Sequence, residues 1–208
     1  MKKIICLFLF GFSLTACHKE KVPALPAGAT VLVLGDSLSY GTGANLNEAY
    51  PVLLAAETGW KIVNAGVPGD TSEQGLARLP ELLEAYQPKL LMVELGGNDF
   101  LRNVPTAKTT SNLKEIISQA KSKDVPTLLI AIPEFSPFKA AIGSLSDHPI
   151  YKKLAKENNV LLIEDVFSDV LSENSLKSDQ IHPNAQGYRK VEEKMRESLI
   201  DLGLLQAK

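Results

Sequence analysis

Five short aliphatic runs recur along the chain, over residues 30–34, 61–64, 90–95, 127–132 and 160–163. Each is rich in Val, Ile and Leu and lacks polar alternation, which predicts strands buried on both faces. Between them, apolar residues fall three and four apart. Leu76, Leu79, Leu82 and Leu83 form one stripe over 73–86, and Leu113, Ile116, Ile117 and Ala120 another over 111–121. Further helices are predicted over 50–58, 150–158 and 185–202. Asp70 or Thr71 can cap the helix that begins at Glu73, which is placed for a capping box. Strand and helix alternate throughout, so the expected architecture is α/β: one five-stranded parallel sheet with helices on both faces. Such sheets collect ligands at the carboxyl ends of their strands.

The first residues do not fit that alternation. Lys2 and Lys3 precede an apolar run over 4–12, and Leu14-Thr15-Ala16-Cys17 follows. The charge, length and small residues are those of a secretory signal, and the run falls short of the roughly 20 residues that span a bilayer. The Leu-x-Ala-Cys ending resembles a bacterial lipoprotein signal. That likeness implies a signal peptide over 1–16, a lipidated Cys17 and an extended tether over 17–29, with the domain occupying 30–208. The membrane is then a partner through the lipid anchor. By resemblance to Gram-negative lipoproteins, His18 after the anchor points to the outer membrane, facing the periplasm.

Composition narrows the chemistry. The chain of 208 residues suffices for a single domain, read as a monomer. Its net charge of −2 is spread without a dense basic run, which disfavours nucleic acid as a partner. The two cysteines are Cys6 and Cys17. The domain itself therefore has no thiol for a disulfide, a metal site or a nucleophile. Three histidines make a polyhistidine metal site a poor expectation. No phosphate-binding loop occurs, and Gly41-Thr42-Gly43 lacks the third glycine of a dinucleotide fingerprint.

Four short blocks can carry chemistry. Gly35-Asp36-Ser37-Leu38-Ser39 follows the first strand, where a tight turn lifts a serine hydroxyl toward a base. Ser39 and Asp36 are rivals to Ser37 there, and an Asx-type brace accounts for Asp36. After the second strand, Gly66-Val67-Pro68-Gly69-Asp70-Thr71-Ser72 exposes backbone N–H groups beside a helix start, suited to a developing oxyanion, with Gly66 and Gly69 both eligible. After the third, Gly96-Gly97-Asn98-Asp99 offers an amide donor, and a left-handed turn at Asn98 explains it equally well. Last, Asp179-Gln180-Ile181-His182-Pro183 sets a carboxylate three residues ahead of a histidine, within reach of Nδ1, so that Nε2 is left as a base. His18 lies in the tether, and in an extended loop the side chains of Asp147 and His148 point apart. That leaves His182 as the base.

In this order the four blocks resemble the SGNH (GDSL) hydrolase superfamily. The likeness runs from about Val31 to Tyr188. It is dense at Gly35-Asp36-Ser37-Leu38-Ser39, Gly69-Asp70-Thr71-Ser72, Gly75-Leu76-Ala77-Arg78-Leu79-Pro80, Val93-Glu94-Leu95-Gly96-Gly97-Asn98-Asp99 and Asp179-x-x-His182-Pro183-Asn184. Within the superfamily the chain resembles the bacterial group with thioesterase, arylesterase and lysophospholipase activities. The resemblance implies a three-layer α/β/α sandwich of flavodoxin-like kind, with no metal and no organic cofactor. It implies Ser37 as nucleophile, His182 and Asp179 as base and orienter, and an oxyanion hole from the Ser37 N–H, Gly69 and Asn98, so that Gly69 rather than Gly66 is chosen. The expected substrates are short-chain or aryl esters, lysophospholipids or thioesters. Deacetylation of cell-wall or surface glycans and a non-catalytic envelope binding lipoprotein are the alternatives. The segment over 133–149 should border the acyl pocket, with Phe135 and Phe138 as candidates for an apolar wall or for packing the loop down.

Overall fold

A computed structural model describes residues 22–207 except 135, 137, 140 and 141. The signal-like N-terminus, Cys17 and Phe135 lie outside the described residues. Strand β1 (Thr30–Gly35) is wholly aliphatic between its ends, and Val31 to Leu34 are fully buried. It pairs in parallel with β2 (Lys61–Gly66) on one side and β3 (Leu90–Glu94) on the other. Beyond β3 lie β4 (Thr127–Ile130) and β5 (Leu161–Ile163), so the sheet order is β2-β1-β3-β4-β5, all parallel. The three central strands are buried throughout apart from the half-buried Thr30. β2 and β5, with one neighbour each, are only partly covered, contrary to the expectation of burial on both faces.

Helices cover both faces. One layer holds α3 (Ser72–Tyr86), α5 (Thr106–Ser122) and α6 (Ile150–Asn158); the other holds α2 (Tyr50–Thr58), α7 (Val166–Ser172) and α8 (Ala185–Asp201). Two further helices are short, α1 (Ser37–Tyr40) and α4 (Gly97–Leu101). The leucine stripe of α3 is buried at Leu79 and Leu83, each worth about 2 kcal/mol of transfer free energy. Thr71 caps α3 and Gln74, not Glu73, closes the capping box. α5 starts five residues before the expected 111, because Thr106 to Thr110 carry no apolar stripe yet Thr109 is buried through a polar contact. α1, α4 and α7 are too short for periodicity to register.

The stretch expected as an extended tether is docked on the domain where it is described. The Leu25 N–H donates to the Leu204 carbonyl at 2.9 Å, Trp60 Nε1 donates to Leu25 O at 3.3 Å, and Gly28 N–H to Gly59 O at 2.8 Å. Leu25 packs on the core with Val22. Apolar residues between the two prolines thus gain more by burial than an extended chain would.

With the order β2-β1-β3, the chain leaves β1 toward one edge and returns past it to the other. The carboxyl ends of β1 and β3 are therefore the switch point, where the loops diverge and leave a crevice. Residue Gly187 in the first turn of α8 is pressed on the Leu176 carbonyl, which a Cβ would meet at 2.1 Å. Gly187→Ala is expected to destabilise the fold by about 2 kcal/mol, a fall in Tm of roughly 4–8 °C in a thermal melt.

Candidate active site

The turn after β1 is built by polar contacts with the chain below it. Asp36 leaves the sheet with its side chain accepting from Leu38 N–H at 3.0 Å, the brace of an Asx-type cap. Ser37 then begins α1, so its N–H is one of the helix's unpaired first-turn donors. Ser39, the rival nucleophile, is fully buried and hydrogen-bonded to Glu94 Oε2 at 2.7 Å and Tyr50 Oη at 2.8 Å. Its hydroxyl cannot meet a substrate.

Ser37 instead faces the loop before α8. Its Oγ lies 3.0 Å from His182 Nε2, and His182 Nδ1 lies 2.7 Å from Asp179 Oδ2. A carboxylate can only accept, so the Nδ1 proton points to Asp179 and Nε2 keeps its lone pair toward the serine hydroxyl. Asp179 Oδ1 accepts from the N–H groups of Ile181 and His182 at 2.8 and 2.9 Å, which ties the carboxylate to the backbone of the ring it orients. Partial burial pushes Asp179 upward, but the bond to His182 and those from the backbone outweigh it, and its pKa lies below the ordinary value. Asn184 anchors the loop: its amide donates to the carbonyls of Ser175 and Lys177 while its oxygen caps α8 at Gly187.

Two further loops leave the same edge of the sheet: Asn98 lines the cavity that Ser37 enters, and the loop of Gly69 follows β2 where Gly66 pairs with Gly35. Val67-Pro68-Gly69-Asp70 is a turn closed by Asp70 N–H to Val67 O at 3.0 Å, and Gly69 has φ +87°, the left-handed value that the third position of a type II turn demands. Gly66 N–H is taken by Asn64 Oδ1 at 3.0 Å, whereas no acceptor among the described residues takes the Gly69 N–H. The Asn98 amide donates one hydrogen to Asp36 Oδ2 at 2.9 Å, leaving its second. Asn98 is helical in α4, so the alternative of a left-handed turn is excluded; the positive φ, 124°, belongs to Gly96.

Sequence reading missed what holds these loops together. Buried Asp99 accepts from Ser72 N–H at 2.7 Å, Ser72 Oγ at 2.6 Å and Thr109 Oγ1 at 3.1 Å, joining the Gly69 loop to the Asn98 loop. Arg78 pairs with Asp70 at 2.9 Å and Arg102 donates to Gly69 O at 2.8 Å. Tyr151 Oη donates to Leu95 O at 2.8 Å. His148 is structural: its ring stacks on Phe100 at 4.3 Å, and burial lowers its pKa. Asp147 turns away to Asp165 N–H and Ser168.

Ser37, Asn98 and His182 open into a cavity of about 230 Å³ with an apolar floor of Leu38, Leu101, Ile132, Leu145, Leu171 and Ile181, and a polar rim that includes Lys177 and Gln180. The segment after β4 borders it through Pro133, Glu134, Ser136 and Leu145. Phe138 neither walls the pocket nor packs the loop down: it is 72% exposed, because aliphatic side chains from α4, β4's end and α7 already fill the floor.

The chain is similar to known proteins in sequence and in fold. A sequence model of the GDSL-like Lipase/Acylhydrolase family matches residues 33–190. Thioesterase 1/protease 1/lysophospholipase L1 of Escherichia coli is 40% identical over 161 residues, covering 76% of this chain and 77% of that one. An arylesterase of Vibrio mimicus is 33% identical over 206 residues, covering 96% and 98%. Among solved structures, the esterase EstA from Pseudoalteromonas sp., inhibited by monoethylphosphonate, superposes with TM-score 0.72 at 28% identity, covering 83% of this chain and 97% of its own.

Burial pushes Asp36 up to about 6 against the pull of its bonds from Leu38 and Asn98. A carboxyl with a raised native pKa contributes stability below its unfolded pKa and loses it as pH rises through the native one. Asp36→Asn removes that loss. The variant's unfolding free energy relative to wild type should therefore rise between pH 4 and pH 8 by about 2–3 kcal/mol in denaturant titrations. A gap that shrinks over that range would show that burial does not penalise the Asp36 charge.

Proposed function

The chain belongs to the GDSL-like lipase/acylhydrolase family and is a carboxylic ester hydrolase, and on that premise we propose that Ser37, His182 and Asp179 act as its nucleophile, base and orienter. The observation that carries the reading is the continuous line of contacts from Asp179 Oδ2 through the His182 ring to Ser37 Oγ, at 2.7 and 3.0 Å. Ser37 Oγ attacks the acyl carbonyl while His182 Nε2 takes its proton. The imidazolium so formed is stabilised by ionised Asp179. The oxyanion receives N–H bonds from Ser37 and Gly69 and the unused hydrogen of the Asn98 amide. His182 then protonates the leaving alcohol or thiol, and water releases the acyl group by the same steps in reverse order.

The apolar floor favours a short to medium acyl chain over acetyl, on alcohol, lysophospholipid or thiol leaving groups. The Cys17 lipid anchor, part of the same proposal, would place the enzyme at the periplasmic side of the outer membrane, beside lipid substrates.

Hydrolysis of p-nitrophenyl acetate, butyrate and octanoate tests the reading. Two added methylenes in an apolar pocket are worth about 1.6 kcal/mol, so kcat/KM for butyrate should exceed that for acetate roughly tenfold. Ser37→Ala should lower turnover by about a thousandfold or more; an unchanged rate removes Ser37 as nucleophile. Asn98→Ala should lower kcat by about a hundredfold, and full activity in that variant ends its oxyanion role.

A further inference from the structure

Glu94 is a fully buried carboxyl that the mechanism above does not use. It ends β3 in register with Gly35, directly beneath the turn that carries Ser37. Its Oε2 accepts from Ser39 Oγ at 2.7 Å and Ser39 N–H at 3.0 Å, with Asp36 N–H a longer contact at 3.3 Å. The grip thus holds the backbone on both sides of Ser37. Gly35 is a consequence: a Cβ there would lie 2.2 Å from Ser39 Oγ and 2.8 Å from Glu94 Oε2. Tyr50 Oη closes the cluster from α2, 2.8 Å from Ser39 Oγ.

The other oxygen, Oε1, is buried with no hydrogen-bond partner among the described residues. An anionic oxygen in that position would be uncompensated, and the nearby Asp36 carboxyl is also buried. Of the two acids, Asp36 is the one fitted for charge, because Leu38 N–H and the Asn98 amide donate to its two oxygens and the His182 ring lies near. Burial, and next the Asp36 charge, push Glu94 well above the usual carboxylate range.

We propose that Glu94 is a positioning residue held as a neutral carboxylic acid, whose Oε2 fixes the Ser37 turn and whose retained proton leaves Asp36 as the single anion beneath Asn98. The proposal rests on the reading of Ser37 as nucleophile. Reach and neutrality are both required. Glutamine keeps both, since its carbonyl occupies the place of Oε2. Aspartate keeps the acid but draws it back by one methylene, roughly 1.5 Å.

The test uses the full chain with Glu94→Gln and Glu94→Asp, Ser37→Ala as blank, and p-nitrophenyl butyrate as substrate. Glu94→Asp is expected to lose at least 30-fold in kcat with KM changed less than threefold, and Glu94→Gln to restore kcat to within about fivefold of wild type. A purely structural role would lower Tm in both variants without this split in kcat. The infrared difference spectrum of wild type minus Glu94→Gln at pH 8 should show the carbonyl band of a protonated carboxyl. A glutamine variant as impaired as the aspartate one, an aspartate variant with full kcat, or an absent carboxyl band would each overturn the proposal. Activity that persists in Ser37→Ala would instead strike the nucleophile assignment, while the infrared band would still decide the state of Glu94.

Discussion

Glu94 Oε2 receives the hydroxyl and backbone N–H of Ser39 inside the sheet's carboxyl edge, and the tight turn that presents Ser37 depends on that grip. A serine at the end of a buried strand would ordinarily leave several backbone donors without partners, at a cost of roughly 1–3 kcal/mol each. Here the neighbouring strand supplies an acceptor from below and Asp36 supplies another from within the turn. The turn can therefore be tight, and Ser37 is the one residue in it whose hydroxyl is turned toward the cavity.

The same economy extends outward. Asp99 collects donors from the starts of α3 and α5 and so fixes the distance between the loops of Gly69 and Asn98. Asp36 holds the Asn98 amide, and Asn184 holds the loop of His182. Three buried acids, Glu94, Asp36 and Asp99, thus organise a site in which ester hydrolysis needs fixed donors rather than mobile ones. The stabilisation of a developing oxyanion depends on donors already in place when charge appears. Burial raises the proton affinity of Asp36 and Glu94, so part of the folding free energy is given up to keep the site ordered.

Much of this was legible in the residues. The aliphatic runs located all five strands, since a parallel sheet buried between helices leaves no room for polar alternation. The blocks around Ser37, Asn98, Asp179 and His182 stood out because each sits directly after a strand or before a helix, whereas Gly69 was preferred to Gly66 only through the family resemblance. The cavity floor was not legible: Leu101, Ile132, Leu145 and Leu171 come from separate elements, and each reads locally as ordinary core. The exposed Phe138 shows the reverse case, where an aromatic residue in a loop suggested a wall that other side chains already provide.

By itself, then, the sequence determined the alternation of elements, the parallel sheet and the residue types available at its carboxyl edge, because hydrophobic period and turn chemistry are local properties. Only the tertiary structure decided which serine faces the cavity and that Glu94 lies beneath the Ser37 turn. Those outcomes depend on the register of β1 against β3 and on contacts between residues 55 or more positions apart, which no local pattern encodes.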